Sequence, residues 1–339
     1  MKGRNMNSVL NAVAELKPDE DTNLWSYMTL RGTKILLKSL GRSDVFGELK
    51  RELLEQISSI NLSERLKEAE RVIDCWAEVL SANGYLVKVV VMEAESRVIV
   101  GTSSGLGRIP FEVGLSFDPI MNLPYIPGST IKGAIRSVFR ELLSSSTLVR
   151  EGRCKQESID DIVDRVFGSS SHKKVSIGLV GFTDAYPVST GNGNMVLEPD
   201  VITPHYTCTS GKECTEFDVV PIPIQFLTIA PGTRFKFLMF FNNQLRSGKL
   251  GTVSSTKLGK AGKVECSELS YMVYYDHEEL GEALARISQH NKLNLIPWLD
   301  RAVLYAVAKG LGAKTSIGYS RFRIVSYTTF RGGSSAPKC

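Results

Sequence analysis

The chain has 339 residues, 42% of them apolar and 23% charged, a globular composition rather than a disordered or collagen-like one. Its formal charge of +5 permits an acidic partner such as nucleic acid without demanding one. No stretch of about 18 apolar residues occurs, so no membrane-spanning helix is expected.

That length suits about two domains, or one elaborated domain with a sizeable core. The opening MKGRNMNSVLNAVAEL is interrupted by Asn7, Asn11 and Glu15 and does not read as a secretory leader. Cys75, Cys154, Cys208, Cys214, Cys266 and Cys339 follow no paired framework, and the expected setting is reducing and cytoplasmic.

Residues 1–82 read as a helical region. Leu49, Leu53, Ile57, Ile60, Leu66, Ile73, Trp76 and Leu80 recur at three- and four-residue steps among charged residues. Asn83-Gly84 is a helix stop. The β-branched YLVKVVVME from Tyr85 predicts a strand. A glycine-rich stretch at 101–110 and the turn-rich MNLPYIPGS follow it. The spacing of Ile131, Ile135, Val138 and Leu142 then predicts a helix, with Ser129 or Thr130 as its N-cap. VSIGLVGFTDAYPV (175–188) reads as one strand. Segment 219–241 reads as a strand pair joined by Ala230-Pro231-Gly232. WLDRAVLYAVAKGLG predicts a helix, FRIVSYTTF a strand, and 331–339 a disordered tail.

With insertions at 189–218 and 246–263 set aside, residues 83–330 run strand, helix, strand, strand, helix, strand. That order predicts an α+β chain: a decorated ferredoxin-like, RNA-recognition-type βαββαβ domain behind the N-terminal helices.

Three segments invite phosphate. The first, KGLGAKTSIGYSRF (309–322), is no nucleotide P-loop. With Lys314-Thr315 as its Lys-Thr, the two obligatory glycines fall on Ala308 and Ala313, and helix precedes loop instead of following it. No dinucleotide fingerprint fits either. A helix C-cap followed by a tight turn is one account of the glycines; a loop that hugs a polyanion backbone is the other. Favouring the second, Arg301, Lys309, Lys314, Arg321, Arg323 and Arg331 occur with no acidic residue among them. The second segment is STIKGAIR, whose Lys132 and Arg136 share a face in the first turns of a helix, where an anion is favoured. The third is the basic loop 246–263.

LPYIPGSTIKGAIRSVFR, GLVGFTDAYP, DVITPHY and GLGAKTSIGYSRF together resemble the motifs of the RAMP superfamily of CRISPR proteins. Their order and spacing resemble the sixth-subunit family of the Cmr, or type III-B, effector complex, over roughly residues 100–325. The resemblance implies a non-catalytic RNA-binding subunit of a ribonucleoprotein in antiviral defence, holding the 3′ region of a guide RNA. Implied partners are guide and target RNA, the backbone RAMP subunits and the small helical subunit, with no membrane and no cofactor. Carried over by motif, the RNA-facing residues are Ser129, Lys132, Gly133 and Arg136 in one block. Gly310, Gly312, Lys314, Thr315 and Ser316 form the other, and Arg321 of the acid-free run is expected to bind RNA beside them. A protruding hairpin that wedges into the guide–target duplex, as in related subunits, is expected within 189–218.

The alternative reading is a RAMP-type endoribonuclease acting on guide precursor or target RNA. Backbone subunits cleave with an aspartate upstream of the PGS block. Here Asp118 stands in that region but too close to PGS, and a turn-forming role before Pro119 is the stronger reading. Asp184 reads as a strand-end turn cap. His205, the one histidine in a matching block, lacks a visible base partner and reads as structural or an RNA contact. With Cys208 and Cys214 it lacks zinc spacing and a fourth ligand; no metal is expected.

Overall fold

The computed structural model describes residues 17–38, 43–102, 105–107, 110–145, 156–171, 174–191, 195–203, 223–241 and 298–330. The 331–339 tail, the 246–263 loop, much of the 189–218 excursion and all four histidines, His205 included, lie outside them.

Three helices lead: α1 (Leu24–Lys38), α2 (Ser43–Ser58) and α3 (Ser63–Ala82). Leu53, Ile57, Leu66 and Ile73 are buried, as their spacing predicts. Asn83 returns its amide to the Val79 carbonyl (3.0 Å) and Gly84 turns left-handed, which ends α3. Cys75 on α3 is disulfide-bonded, contrary to the unpaired thiols its spacing suggests.

The strands and remaining helices follow in order. They are β1 (Leu86–Ala94), the short hairpin β2 (Phe117–Asp118) and β3 (Leu123–Pro124), α4 (Gly128–Ser145) and α5 (Gln156–Phe167). Then come the ribbon β4 (Gly168–Ser171) and β5 (Lys174–Ile177), β6 (Val180–Phe182), β7 (Tyr186–Ser189), β8 (Leu197–Ile202) and β9 (Ile224–Ile229). Last are β10 (Arg234–Phe241), α6 (Trp298–Lys309) and β11 (Phe322–Thr329). No helix among the described residues is long and apolar enough to cross a membrane.

The result is a mixed α/β molecule built on an antiparallel sheet in the order β11–β1–β10–β6, with β7 also on β10. The pleat sorts the helices between its faces. Lys88 of β1 points at Asp300 of α6. Lys236 of β10, which is paired with Val91, points the other way, at Asp74 of α3 (2.6 Å). So α3 covers one face and α6, with α4 packed on it, covers the other.

Two strand expectations need correction. Segment 175–188 is not one strand: it ends β5, forms β6, breaks at Thr183–Ala185 and resumes as β7. The break frees Asp184 for a contact described below. The strands β9 and β10 do not pair with each other. Both edges of β10 are already filled, by β1 on one side and by β6 and β7 on the other. The Ala230–Thr233 turn is instead clamped to the end of β1, Gly232 N–H donating to Ala94 O at 2.7 Å. Beyond it β9 pairs with β8, a strand inside the segment read as an insertion.

Candidate nucleic-acid interface

The first motif block opens α4. That helix starts at Gly128, so Ser129 and Thr130 lie inside its first turn and neither is the N-cap. The cap comes from 56 residues away: Asp184 Oδ1 accepts the Gly128 N–H at 2.6 Å. Gly128 has to be glycine, because a Cβ there would stand 2.8 Å from the Phe182 carbonyl oxygen. The amides of Thr130 and Ile131 both return to Pro127 O. The anion at this helix terminus is therefore the chain's own carboxylate. Only the Ser129 amide is left without a partner among the described residues.

Farther along α4, Arg136 is engaged internally, with Asp164 at 2.6 Å and the Gly168 carbonyl at 3.3 Å. Lys132 has no acidic partner among the described residues. Gly133 is exposed, and a Cβ there would meet nothing within 4 Å. Gly133→Ala is therefore expected to stabilise the fold by about 0.5–1 kcal/mol, read from the denaturation midpoint. A simultaneous loss of RNA affinity would mark a close approach of a polymer backbone to this face.

The second block is a braced loop. Gly310 ends α6, and the amides of Leu311, Ala313 and Ser320 go to Ser320 O, Ile99 O and Arg97 O. Ser320 is buried and left-handed, and its Oγ accepts from Ile99 N–H at 3.1 Å. Lys314 is also left-handed (φ 58°), and a short 3₁₀ turn, Thr315–Ile317, follows it. A left-handed residue followed by a right-handed one aims successive N–H groups into a common concavity. The amides of Gly312, Lys314, Thr315 and Ser316 have no partner among the described residues. Gly312, Lys314 and Ser316 are exposed. Four of the residues carried over by motif are thus the ones whose backbone donors are open.

A hydrogen-bonded layer joins the two blocks. Ala313 N–H meets Ile99 O (2.8 Å), Ser116 N–H meets Val100 O (2.7 Å), and Tyr125 N–H meets Ser116 O (3.1 Å). Ile126 and Ala185 exchange both of their bonds at 2.9 Å. The glycine loop is braced from β8 as well. Tyr319 donates to Asp200 at 2.8 Å, and Arg97 pairs with Glu198 at 2.7 Å. Burial, then that Asp200 bond, pushes the Tyr319 phenol up to about 12.

The acid-free run in the sequence is not acid-free in space. Glu141 takes Lys309 (2.6 Å), Glu93 takes Arg323 (2.6 Å), and Arg321 donates to the Lys309 carbonyl at the end of α6. Lys314 keeps its charge unpaired among the described residues. Nothing in the sequence pattern signals those partners, nor the bracing role of Asp200.

Both candidate acids are committed. Asp118 Oδ1 accepts the amides of Ile120 (2.8 Å) and Met121 (3.2 Å), the turn its place before Pro119 predicts. Its Oδ2 accepts the Tyr186 hydroxyl at 2.8 Å. Burial, then that bond, drives the Tyr186 phenol well above its ordinary range.

The pattern of the RAMP superfamily matches residues 91–323, most of the chain and both motif blocks. The chain belongs to that superfamily. Over 282 residues it is 30% identical to the CRISPR system CMR subunit Cmr6 of Saccharolobus solfataricus, which spans 83% of this chain and 73% of that protein. A 69-residue stretch is 38% identical to the CRISPR system Cms endoribonuclease Csm3 of Streptococcus thermophilus, covering 20% of this chain and 29% of that one. A chain in the cryo-EM structure of the Type III-B Cmr-beta bound to cognate target RNA aligns with a TM-score of 0.61 at 25% identity. That alignment covers 97% of this chain and 99% of that one.

Proposed function

We propose that this chain is a non-catalytic RNA-binding subunit of a type III-B CRISPR (Cmr) effector ribonucleoprotein. In this reading it holds the 3′ region of the guide RNA and contacts neighbouring backbone subunits. The observation that carries it is the run of open amides at Lys314–Ser316 beside an ammonium with no acidic partner among the described residues. Donors of this kind grip phosphates and leave the bases free to pair, as a guide requires. The likeness to Cmr6 and to a chain of an RNA-bound Cmr assembly supports the same reading. So does the sheet. Counting one strand per βαββαβ position, its order is fourth, first, third, second, all antiparallel, which we take as a decorated ferredoxin-like unit.

The non-catalytic part of the proposal rests on Asp118 and Asp184, whose bonds to backbone amides and Tyr186 hold them in structural roles. Asp118→Asn and Asp184→Asn are to be tested singly in the assembled complex on target RNA. Loss of cleavage with assembly intact would convert the reading to that of an endoribonuclease. For binding, Lys314→Ala and Lys132→Ala are each expected to weaken guide-RNA affinity several-fold. Each should lower the slope of log affinity against log salt by about 1, measured by filter binding across a salt series.

A further inference from the structure

The turn between β2 and β3 presents an apolar side chain on a hydrogen-bonded backbone. Ile120 is 89% exposed, yet the turn that carries it is tied down by the side chains of Asp118, Asn122 and Asn23, with Tyr186 holding Asp118 in turn. Asp118 holds the amides of Ile120 and Met121, and is itself held by Tyr186. Asn23 donates to the Pro119 carbonyl at 2.8 Å. Asn122, 3% exposed and left-handed, donates to Thr22 O at 2.9 Å and accepts from the Leu24 amide at 2.8 Å.

The surroundings indicate what the side chain meets. Tyr186 stacks on Tyr125 with ring centres 5.8 Å apart, and Tyr125 lies just after β3 and four residues before the open Ser129 amide, with Lys132 beyond it in α4. The apolar tip therefore stands at the start of a segment that ends on phosphate-type donors. A single projecting side chain offers far less area than the roughly 800 Å² per partner of a stable protein interface. It does match the face of one nucleobase, on which apolar side chains pack in nucleic-acid complexes.

We propose that Ile120 is a nucleobase contact, packing on the face of a base whose strand is held by Ser129 and Lys132. This rests on the RNA-binding reading above and adds a sequence-tolerant base contact to its phosphate contacts. The test places the photocrosslinker p-benzoylphenylalanine at position 120 of the full chain, bound to guide RNA alone or in the assembled complex. The expected result is an adduct to RNA at one nucleotide. Ile120→Ala should lower RNA affinity measurably while leaving the salt slope unchanged, because an apolar contact and no phosphate contact is lost. RNA retained with no adduct, or an adduct to a neighbouring subunit instead, overturns this proposal and leaves the RNA-binding reading standing. No RNA retained by the wild-type chain overturns both.

Discussion

Replacing Gly312 with alanine is expected to destabilise the protein by about 2–4 kcal/mol and to reduce RNA binding beyond what that loss of stability explains. The residue sits at φ 141°, and a Cβ would stand 2.5 Å from the Ile99 carbonyl oxygen and 2.8 Å from Ser320 Oγ. Neither neighbour can give way. Ile99 O is the acceptor for Ala313 N–H, and Ser320 Oγ is the acceptor for Ile99 N–H. The loop would have to lift off the 97–99 segment, and the open amides of Lys314, Thr315 and Ser316 would lose their common direction. Two measurements separate the effects: the urea midpoint for stability, and filter binding at a temperature where the variant is fully folded. Affinity equal to wild type under those conditions would mean that the amides do not hold the RNA.

The second large effect is a pH dependence set by a buried cluster. Asp300, in the first turn of α6, is 1% exposed. It accepts a short hydrogen bond from Tyr327 of β11, and Lys88 of β1 stands 3.8 Å from its other oxygen. Burial outweighs both partners and pushes the carboxyl up from 3.8 to about 6. The native state therefore keeps a proton that the unfolded chain has released. Stability should fall as pH rises from about 4 to about 6 and level off above, a change on the order of 3 kcal/mol. Asp300→Asn should flatten that slope in the pH dependence of the denaturation midpoint. Lys88→Met removes the charge that holds the carboxyl down, so it should move the slope to higher pH. An unchanged slope in Asp300→Asn would place the titration elsewhere.

These two cases also show how much could be read in advance. The glycine loop was legible because left-handed turns demand glycine locally, and GLGAKTSIGYS carries its glycines where such turns occur. The types of most helices and strands were legible from periodicity, which reports a residue's immediate neighbours. The pairing of β9 with β8 was not. It depends on both edges of β10 being occupied, and one of those edges belongs to β1, well over 100 residues earlier in the chain. The helix cap was missed for a similar reason, since Ser129 and Thr130 are sound local caps and a carboxylate 56 residues away takes the place instead. The buried cluster of Lys88, Asp300 and Tyr327 joins three elements, and none of these residues stands out in sequence.

By itself the sequence determined the helical start, the alternation of strands and helices, the superfamily motifs and the exclusion of a nucleotide P-loop. Each follows from local sterics and spacing. Only the tertiary structure decided which charges face outward unpaired. Glu141 reaches Lys309 across 168 positions and Glu93 reaches Arg323 across 230, so a run that looks purely basic on paper has two of its charges neutralised in space. Coulomb attraction depends on distance through the fold and not along the chain. Among the described residues of the two motif blocks, it leaves Lys314 with its neighbouring amides, and Lys132 with the Ser129 amide, as open donors.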